Sequence, residues 1–300
     1  MPKISNGVSI IVPVYNEEEG LQQIIGDFDH IARSATEKSI DLELILVNDG
    51  SDLPTREILE KLDHPLIKVL HHKRNIGYGA GIKTGMKSAK FNYIAITDAD
   101  GTYPNEKIPQ FYKQAKEQKL DMLVGARKGE KVHIPWLRQI PKWFISKLAN
   151  YLARQSIPDI NSGLRIMRKN VVDQYLSILP DGFSFTTTIT LAMVVNGFSV
   201  HYENIDYHPR KGRSKIRPIQ DTLNFIQLIL RTTIYFDPLR VFVPLGLILW
   251  LGAVIAVILG VSVLEKIPDV TIAIFALVGF QIICLGLVAD LINRKLSSKK

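Results

Sequence analysis

Val8-Ser9-Ile10-Ile11-Val12-Pro13-Val14 is apolar at all but one position, which marks a strand buried on both faces. Leu21, Ile24, Ile25, Phe28 and Ile31 then recur at helical spacing. The alternation repeats: Leu42 to Val47 reads as a second strand, Ile67 to Leu70 as a third, Tyr93 to Thr97 as a fourth and Met122 to Gly125 as a fifth. Ala80 to Ala89 reads as a helix entered through a glycine-rich turn. Pro104 reads as the start of another, since proline is tolerated in a helix's first turn. Such βαβα order predicts an α/β fold, a mostly parallel sheet with helices on both faces. Ligands in these sheets collect beyond the carboxyl ends of the strands.

Further along, the pattern changes. Ile219 to Phe236 carries apolar residues at helical spacing, and it leads into 24 residues without a charge, Val241 to Leu264. A second uncharged run of 20 residues covers Val270 to Ala289. A bilayer core about 30 Å thick needs about 20 apolar residues of helix, so both runs are long enough to cross it. The alternative, a helical hairpin buried in a soluble domain, is disfavoured because neither run has a polar stripe. The expected organisation is a catalytic domain at 1–215, a juxtamembrane amphipathic helix at 216–238, and membrane helices at 241–264 and 270–292.

Charge refines this picture. Lys and Arg number 37 against 29 Asp and Glu, a net charge of +8 over 300 residues. Arg240 precedes the first run, Arg294, Lys295, Lys299 and Lys300 follow the second, and Glu265-Lys266-Ile267-Pro268-Asp269 joins them. The positive-inside rule places both flanks in the cytoplasm and the short loop outside, in the inner membrane of the cell. No secretory signal is expected at the amino end, where the apolar stretch is short and runs into Asn16-Glu17-Glu18-Glu19. Arg127 to Arg154 holds seven Lys/Arg against one Glu, interleaved with Trp136, Trp143, Phe144 and Tyr151, as in an interfacial amphipathic segment. His208 to Arg217 adds five cations and no acid. The membrane hairpin makes nucleic acid a poor partner for this charge. The single cysteine, Cys284, lies in the second apolar run, which excludes a disulfide framework and a cysteine-based metal site.

Three strand ends carry polar signatures: Pro13-Val14-Tyr15-Asn16-Glu17, Val47-Asn48-Asp49-Gly50-Ser51 and Thr97-Asp98-Ala99-Asp100-Gly101. Carboxylates two residues apart at the mouth of a sheet suit a hard divalent cation that shares its ligands with a substrate phosphate. The competing reading of Asp98-Ala99-Asp100 is an acidic turn capping the next helix. Gly77-Tyr78-Gly79-Ala80-Gly81 could pass for a dinucleotide fingerprint, but it follows the third strand and lacks the ribose-binding acid. His71-His72-Lys73-Arg74 lacks a third metal partner and reads as a solvated turn whose cations approach a diphosphate.

Taken in order, these strand-end motifs, with Asn75-Ile76-Gly77-Tyr78-Gly79, Val124-Gly125-Ala126-Arg127, Asn161-Ser162-Gly163-Leu164-Arg165 and Gly212-Arg213-Ser214-Lys215, resemble family 2 of the glycosyltransferases. With the terminal hairpin, the chain is similar over nearly its whole length to polyprenyl-phosphate hexosyltransferases of the dolichol-phosphate mannose synthase type. The resemblance implies a GT-A nucleotide-sugar fold. It places Pro13, Tyr15 and Glu17 around the nucleoside, Val47 and Asp49 on the base edge and Ala99 on the ribose side. It places Mg²⁺ or Mn²⁺ on Asp98 and Asp100. Gly77, Arg210 and Arg213 are counted among the residues that bind the nucleotide sugar and its metal. Asn48 stands where many relatives have Asp, and Thr102 where some place a metal-contacting Gln.

Many relatives carry an acidic base near Gly182-Phe183-Ser184-Phe185-Thr186-Thr187-Thr188, where this chain has no carboxylate after Asp181. No Gln-x-x-Arg-Trp occurs, which argues against a processive polysaccharide synthase. A phosphate monoester with a second pKa near 6 is mostly ionised at neutral pH and needs cations to position it more than a base to activate it. Arg127, Arg210, Arg213 and Lys215 are the candidate cations. Asp159 is either the remaining base, by resemblance, or the residue that orients the Ser162-Gly163 turn. The resulting expectation is an inverting, metal-dependent hexosyltransferase that carries a hexose from UDP or GDP to a polyprenyl phosphate. A flippase and a second copy of the chain are further candidate partners. The alternatives are transfer to another lipid, such as a diacylglycerol, and a non-catalytic nucleotide-sugar-binding membrane scaffold.

Overall fold

The computed structural model describes residues 6–127, 150–151, 156–207, 218–262 and 269–297. Its centre is a seven-stranded sheet of order β3-β2-β1-β4-β6-β5-β7. The strands are β1 (Gly7–Val14), β2 (Asp41–Asn48), β3 (Ile67–His71), β4 (Tyr93–Ile96), β5 (Met122–Arg127), β6 (Arg165–Arg168) and β7 (Val200–Ile205). β1 pairs in parallel with β2 and β4, so Val14 lies opposite Asn48 and Ile11 opposite Ile96. Three strands therefore finish on one rim, as parallel pairing in near-common register requires. The sheet is not parallel throughout: β6 runs antiparallel between β4 and β5.

Helices cover both faces of the sheet. On one side α1 (Glu18–Glu37) buries Leu21, Ile24, Phe28, Ile31 and Ala35, the stripe its spacing predicts, together with α4 (Ile108–Glu117). On the other, Ile82 and Met86 of α3 (Tyr78–Ser88) and Phe185, Ile189 and Met193 of α6 (Phe185–Val195) pack on Ile11, Ile45, Ile96 and Met167. Short helices α2 (Leu53–Glu60) and α5 (Lys169–Val172) complete the layers. Pro104 does not open α4. Its ψ of 79° is not helical, a 3₁₀ turn at Asn105–Lys107 intervenes, and Pro109 takes the first-turn position instead.

Beyond the sheet, α7 (Pro218–Phe236), α8 (Leu239–Ser262) and α9 (Asp269–Ser297) follow. At about 1.5 Å per residue, α8 and α9 each exceed the hydrocarbon thickness of a bilayer. Only 11% of the apolar window of each is buried, so these helices present bare Leu, Ile and Val outward, unlike a hairpin inside a soluble core. Gly246 and Gly279 bring the two backbones together, and Trp250 Nε1 donates to the Ala276 carbonyl at 3.1 Å. Ile229 of α7 packs with Leu191 and Val194 of α6 and with Val241 of α8. Asn293 of α9 donates to the carbonyls of Ile234 and Tyr235 at 3.3 and 2.6 Å, satisfying backbone acceptors in the last turn of α7. The hairpin is thus tied to the sheet through α7 and α6.

Candidate active site

Two of the strand-end loops are laced together. Asn16, at φ 53°, donates through Nδ2 to Asp52 Oδ2 at 2.8 Å, and the Asp52 amide returns a bond to Asn16 Oδ1 at 2.8 Å. Asn48 Oδ1 accepts from the Ser51 amide at 2.8 Å, a local side-chain turn after β2. Asp49 spends both oxygens on the protein: Oδ1 accepts from the Ile76 amide (3.0 Å) and Oδ2 from the Gly77 amide (2.8 Å). His72 Nδ1 also lies 2.8 Å from Asp49 Oδ1, and its Nε2 lies 2.9 Å from Thr84 Oγ1. His72 therefore departs from the solvated turn expected there and clamps β2 to α3, while Lys73 and Arg74 stay exposed.

This lacing sorts the residues assigned to the nucleoside. Pro13, Val47 and Ala99 are buried, Val47 and Ala99 within the two core clusters. Tyr15 is 48% exposed at the rim. Glu17 and Asp100 meet across a cleft of about 400 Å³ that Asn16, Asp52 and Thr55 also line. Gly77 sits behind this surface: at φ 113°, with its amide on Asp49, a side chain there would lie 2.5 Å from the Asp181 carbonyl. The glycine turn is a seat for the 180–183 loop.

Asp98 and Asp100 leave β4 on the same rim. The Tyr78 hydroxyl donates to Asp98 Oδ1 at 2.8 Å. Gly163 presses on the other side, where a Cβ would stand 2.5 Å from Asp98 Oδ2. Asp100 Oδ1 accepts from the Thr102 hydroxyl (2.6 Å) and amide (3.2 Å), so Thr102 orients this carboxylate. Burial, opposed by the Tyr78 hydrogen bond and reinforced by the charge of Asp100, raises the Asp98 pKa to about 6. Two oxygen-donor side chains with excess negative charge fit Mg²⁺ or Mn²⁺. Among the described residues no group of three or more His, Cys, Asp or Glu side chains is placed to hold a metal.

A pH effect follows for the metal-free protein. The folded-state value lies above the ordinary one near 3.9, so ionising Asp98 costs more in the folded chain than in the unfolded one. Stability is therefore withdrawn as pH rises from about 4 through 6. In chelator, Asp98→Asn should unfold at the wild-type temperature near pH 4 and above it at pH 8, with a gap of about 2 kcal/mol. Parallel melting curves at both pH values would refute this.

Arg127, the last residue of β5, forms a two-pronged pair with Asp159: Nε to Oδ2 at 2.7 Å and a terminal nitrogen to Oδ1 at 2.9 Å. The backbone amide of Arg127 adds a bond to Oδ2 at 3.2 Å, and the Asn161 amide donates to Oδ1 at 3.1 Å. Burial alone would raise the Asp159 pKa, but the Arg127 hydrogen bond and charge outweigh it and hold the carboxyl below its usual range. A carboxylate so held is a weak base at neutral pH. The Arg127 guanidinium also lies over the Tyr207 ring at 5.3 Å. Behind the pair, Arg165 is fully buried and donates to the carbonyls of Ser162 and Thr186 and to Thr190 Oγ1. Lys215, Arg210 and Arg213 lie outside the described residues.

Residues 9–176, more than half of the chain, match the family described as Glycosyl transferase family 2, on the segment that carries this rim. The chain belongs to that family. Residues 237–294 match the GtrB C-terminal hairpin. An undecaprenyl-phosphate 4-deoxy-4-formamido-L-arabinose transferase of Proteus mirabilis is 26% identical over 96% of this chain and 89% of its own length. A dolichyl-phosphate hexose transferase of Haloferax volcanii is 26% identical over 70% of this chain and 87% of its own. Glucosyl-3-phosphoglycerate synthase of Mycobacterium tuberculosis, solved with Mn²⁺, UDP and phosphoglyceric acid, superposes with a TM-score of 0.57 at 14% identity. The match covers 77% of this chain and 80% of that one, and at this identity it speaks for a shared fold.

The family 2 domain thus brings Glu17, Asp98 and Asp100 to one rim, with Arg127 and Asp159 at the end of β5. It draws Val47, Asp49 and Gly77 into supporting positions. Three contributors were missed in the sequence. Tyr78 stood inside a glycine motif, and Phe183 in a segment read only for its missing carboxylate. Arg165 stood at the end of the Asn161-Ser162-Gly163-Leu164-Arg165 motif with no role of its own, and β6 carries it inside.

Proposed function

We propose that this glycosyltransferase moves a hexose, with inversion, from a nucleoside diphosphate to a polyprenyl phosphate at the cytoplasmic face of the inner membrane. The observation that carries the reading is the continuous packing of α6, which follows the 180–183 loop, onto α7 and α8. An acceptor dissolved in the bilayer reaches the rim along that path. The relatives support the acceptor class more than the sugar: undecaprenyl, dodecaprenyl and dolichyl phosphates recur in their names, with a formamido-arabinose, galacturonate and a hexose.

The chemistry asks little of a base. A phosphate oxygen of the acceptor attacks the anomeric carbon as the bond from that carbon to the diphosphate breaks, and the nucleoside diphosphate departs. The acceptor phosphate is already ionised at neutral pH, which agrees with an Asp159 committed to Arg127 and Asn161. Asp98 and Asp100 would hold Mg²⁺ or Mn²⁺, and that cation would neutralise charge on the leaving diphosphate. Arg127, with its planar fork fixed by Asp159, presents a cation at the end of β5, and Arg210, Arg213 and Lys215 are proposed to join it on the phosphate. Purified protein incubated with UDP- and GDP-hexoses, Mn²⁺ and polyprenyl phosphate should form a sugar-phosphate lipid from one donor. Nucleotide-sugar binding without product from any donor would favour the scaffold reading.

We also propose that the loop between α8 and α9 faces outward. In a Cys284→Ser background, Lys266→Cys should react with an impermeant thiol reagent in intact cells. Labelling only after lysis would reverse the topology.

A further inference from the structure

We propose that Tyr78 is a positioning residue for Asp98, fixing the carboxylate through Oδ1 while Phe183 holds the tyrosine ring in place. The inference rests on the reading that Asp98 and Asp100 hold a divalent cation, and adds a residue to that site. A carboxylate that must capture a cation does so best when its rotation is already arrested, and partners that orient ligands commonly change metal affinity about 10- to 100-fold. Asp98 is held from two sides. The Tyr78 hydroxyl donates to Oδ1 at 2.8 Å, and the Gly163 backbone lies so close that a Cβ would come within 2.5 Å of Oδ2.

Tyr78 is itself held. It is the first residue of α3, and its ring stacks on Phe183 with centroids 5.6 Å apart and planes 16° apart. Phe183 is 85% exposed, so burial in the core does not account for its place. What keeps it there is the preceding loop. The Ala80 amide donates to the Asp181 carbonyl at 2.9 Å, Lys83 Nζ bonds Asp181 Oδ1 at 2.8 Å, and Lys83 also reaches the Leu179 carbonyl. Gly77 and Gly79 have no room for a side chain against Asp181 and Pro180. A loop about 100 residues away in sequence is thus seated on the turn that presents Tyr78, with its aromatic residue over the ring.

A merely structural Tyr78 would be satisfied by any acceptor and would not tune metal binding. The two roles separate in a Mn²⁺ titration followed by electron paramagnetic resonance, in the presence of UDP and, in parallel, GDP. Tyr78→Phe keeps the ring and the stack and removes only the hydroxyl. It should bind Mn²⁺ about tenfold more weakly, with metal-free nucleotide affinity close to wild type. Phe183→Ala, which leaves the hydroxyl but frees the ring, should weaken Mn²⁺ binding by a smaller factor in the same direction. Wild-type Mn²⁺ affinity in Tyr78→Phe overturns the inference while the metal site stands. No nucleotide-dependent Mn²⁺ binding by the wild-type protein overturns the metal assignment, and this inference with it.

Discussion

Asp98→Asn and Asp100→Asn should each lower sugar transfer at least about a hundredfold, close to 2.7 kcal/mol of transition-state stabilisation. Asn preserves the shape of either side chain and can still accept from Tyr78 at position 98 or from Thr102 at position 100. What it removes is the charge. In the wild-type protein that charge is costly, since burial and the Asp98–Asp100 repulsion already raise the Asp98 pKa to about 6. A site that keeps two such carboxylates together is spending stability on something other than folding. Chelator should reproduce the loss in the wild-type protein and add nothing to either variant. Near-normal turnover of both variants in chelator would remove the metal from the account.

The second large effect concerns Arg127 and Asp159. Arg127→Ala should lower kcat tenfold or more, about 1.4 kcal/mol, with acceptor saturating in detergent. Arg127→Lys should restore little, because an ammonium cannot make the two-pronged contact seen with Asp159. Asp159→Asn also breaks the fork, placing an amide NH₂ against the guanidinium, and should lose activity to a similar extent. The pH profile then tells orientation from base catalysis. A base at Asp159 would give the acid limb of activity, and Asp159→Asn would flatten it. An acceptor phosphate gives its own rise in activity with pH through about 6. The Asp159 carboxyl, held below its usual range, loses its charge only at more acid pH. At saturating Mn²⁺ the acid limb should therefore survive in Asp159→Asn at reduced amplitude. A flat profile would return Asp159 to the role of base.

What the sequence disclosed follows from physical scale. β1 and β2 are buried over nearly their whole length, so their apolar runs stand out, and α1 shows its buried stripe at the expected spacing. β6 was hidden because it is four residues long and starts and ends in Arg, so no period of two could emerge. The carboxylates were legible because an acidic pair directly after an apolar strand breaks its pattern. Their supports were not. Tyr78 with Asp98, Arg127 with Asp159 and Gly77 with Asp181 join residues that only the folded sheet brings together. The same holds for Asp49, whose oxygens accept from the amides of Ile76 and Gly77 in a turn that the sequence does not connect to it.

The acceptor is the centre of the account. Vesicles holding the purified protein with equal amounts of polyprenyl phosphate, the matching unphosphorylated polyprenol and diacylglycerol, given a radiolabelled nucleotide hexose and Mn²⁺, report it in one experiment. The account predicts label in the polyprenyl phosphate alone, with one nucleoside diphosphate released per sugar transferred. Label in diacylglycerol or in the free polyprenol, with polyprenyl phosphate unlabelled, would contradict it.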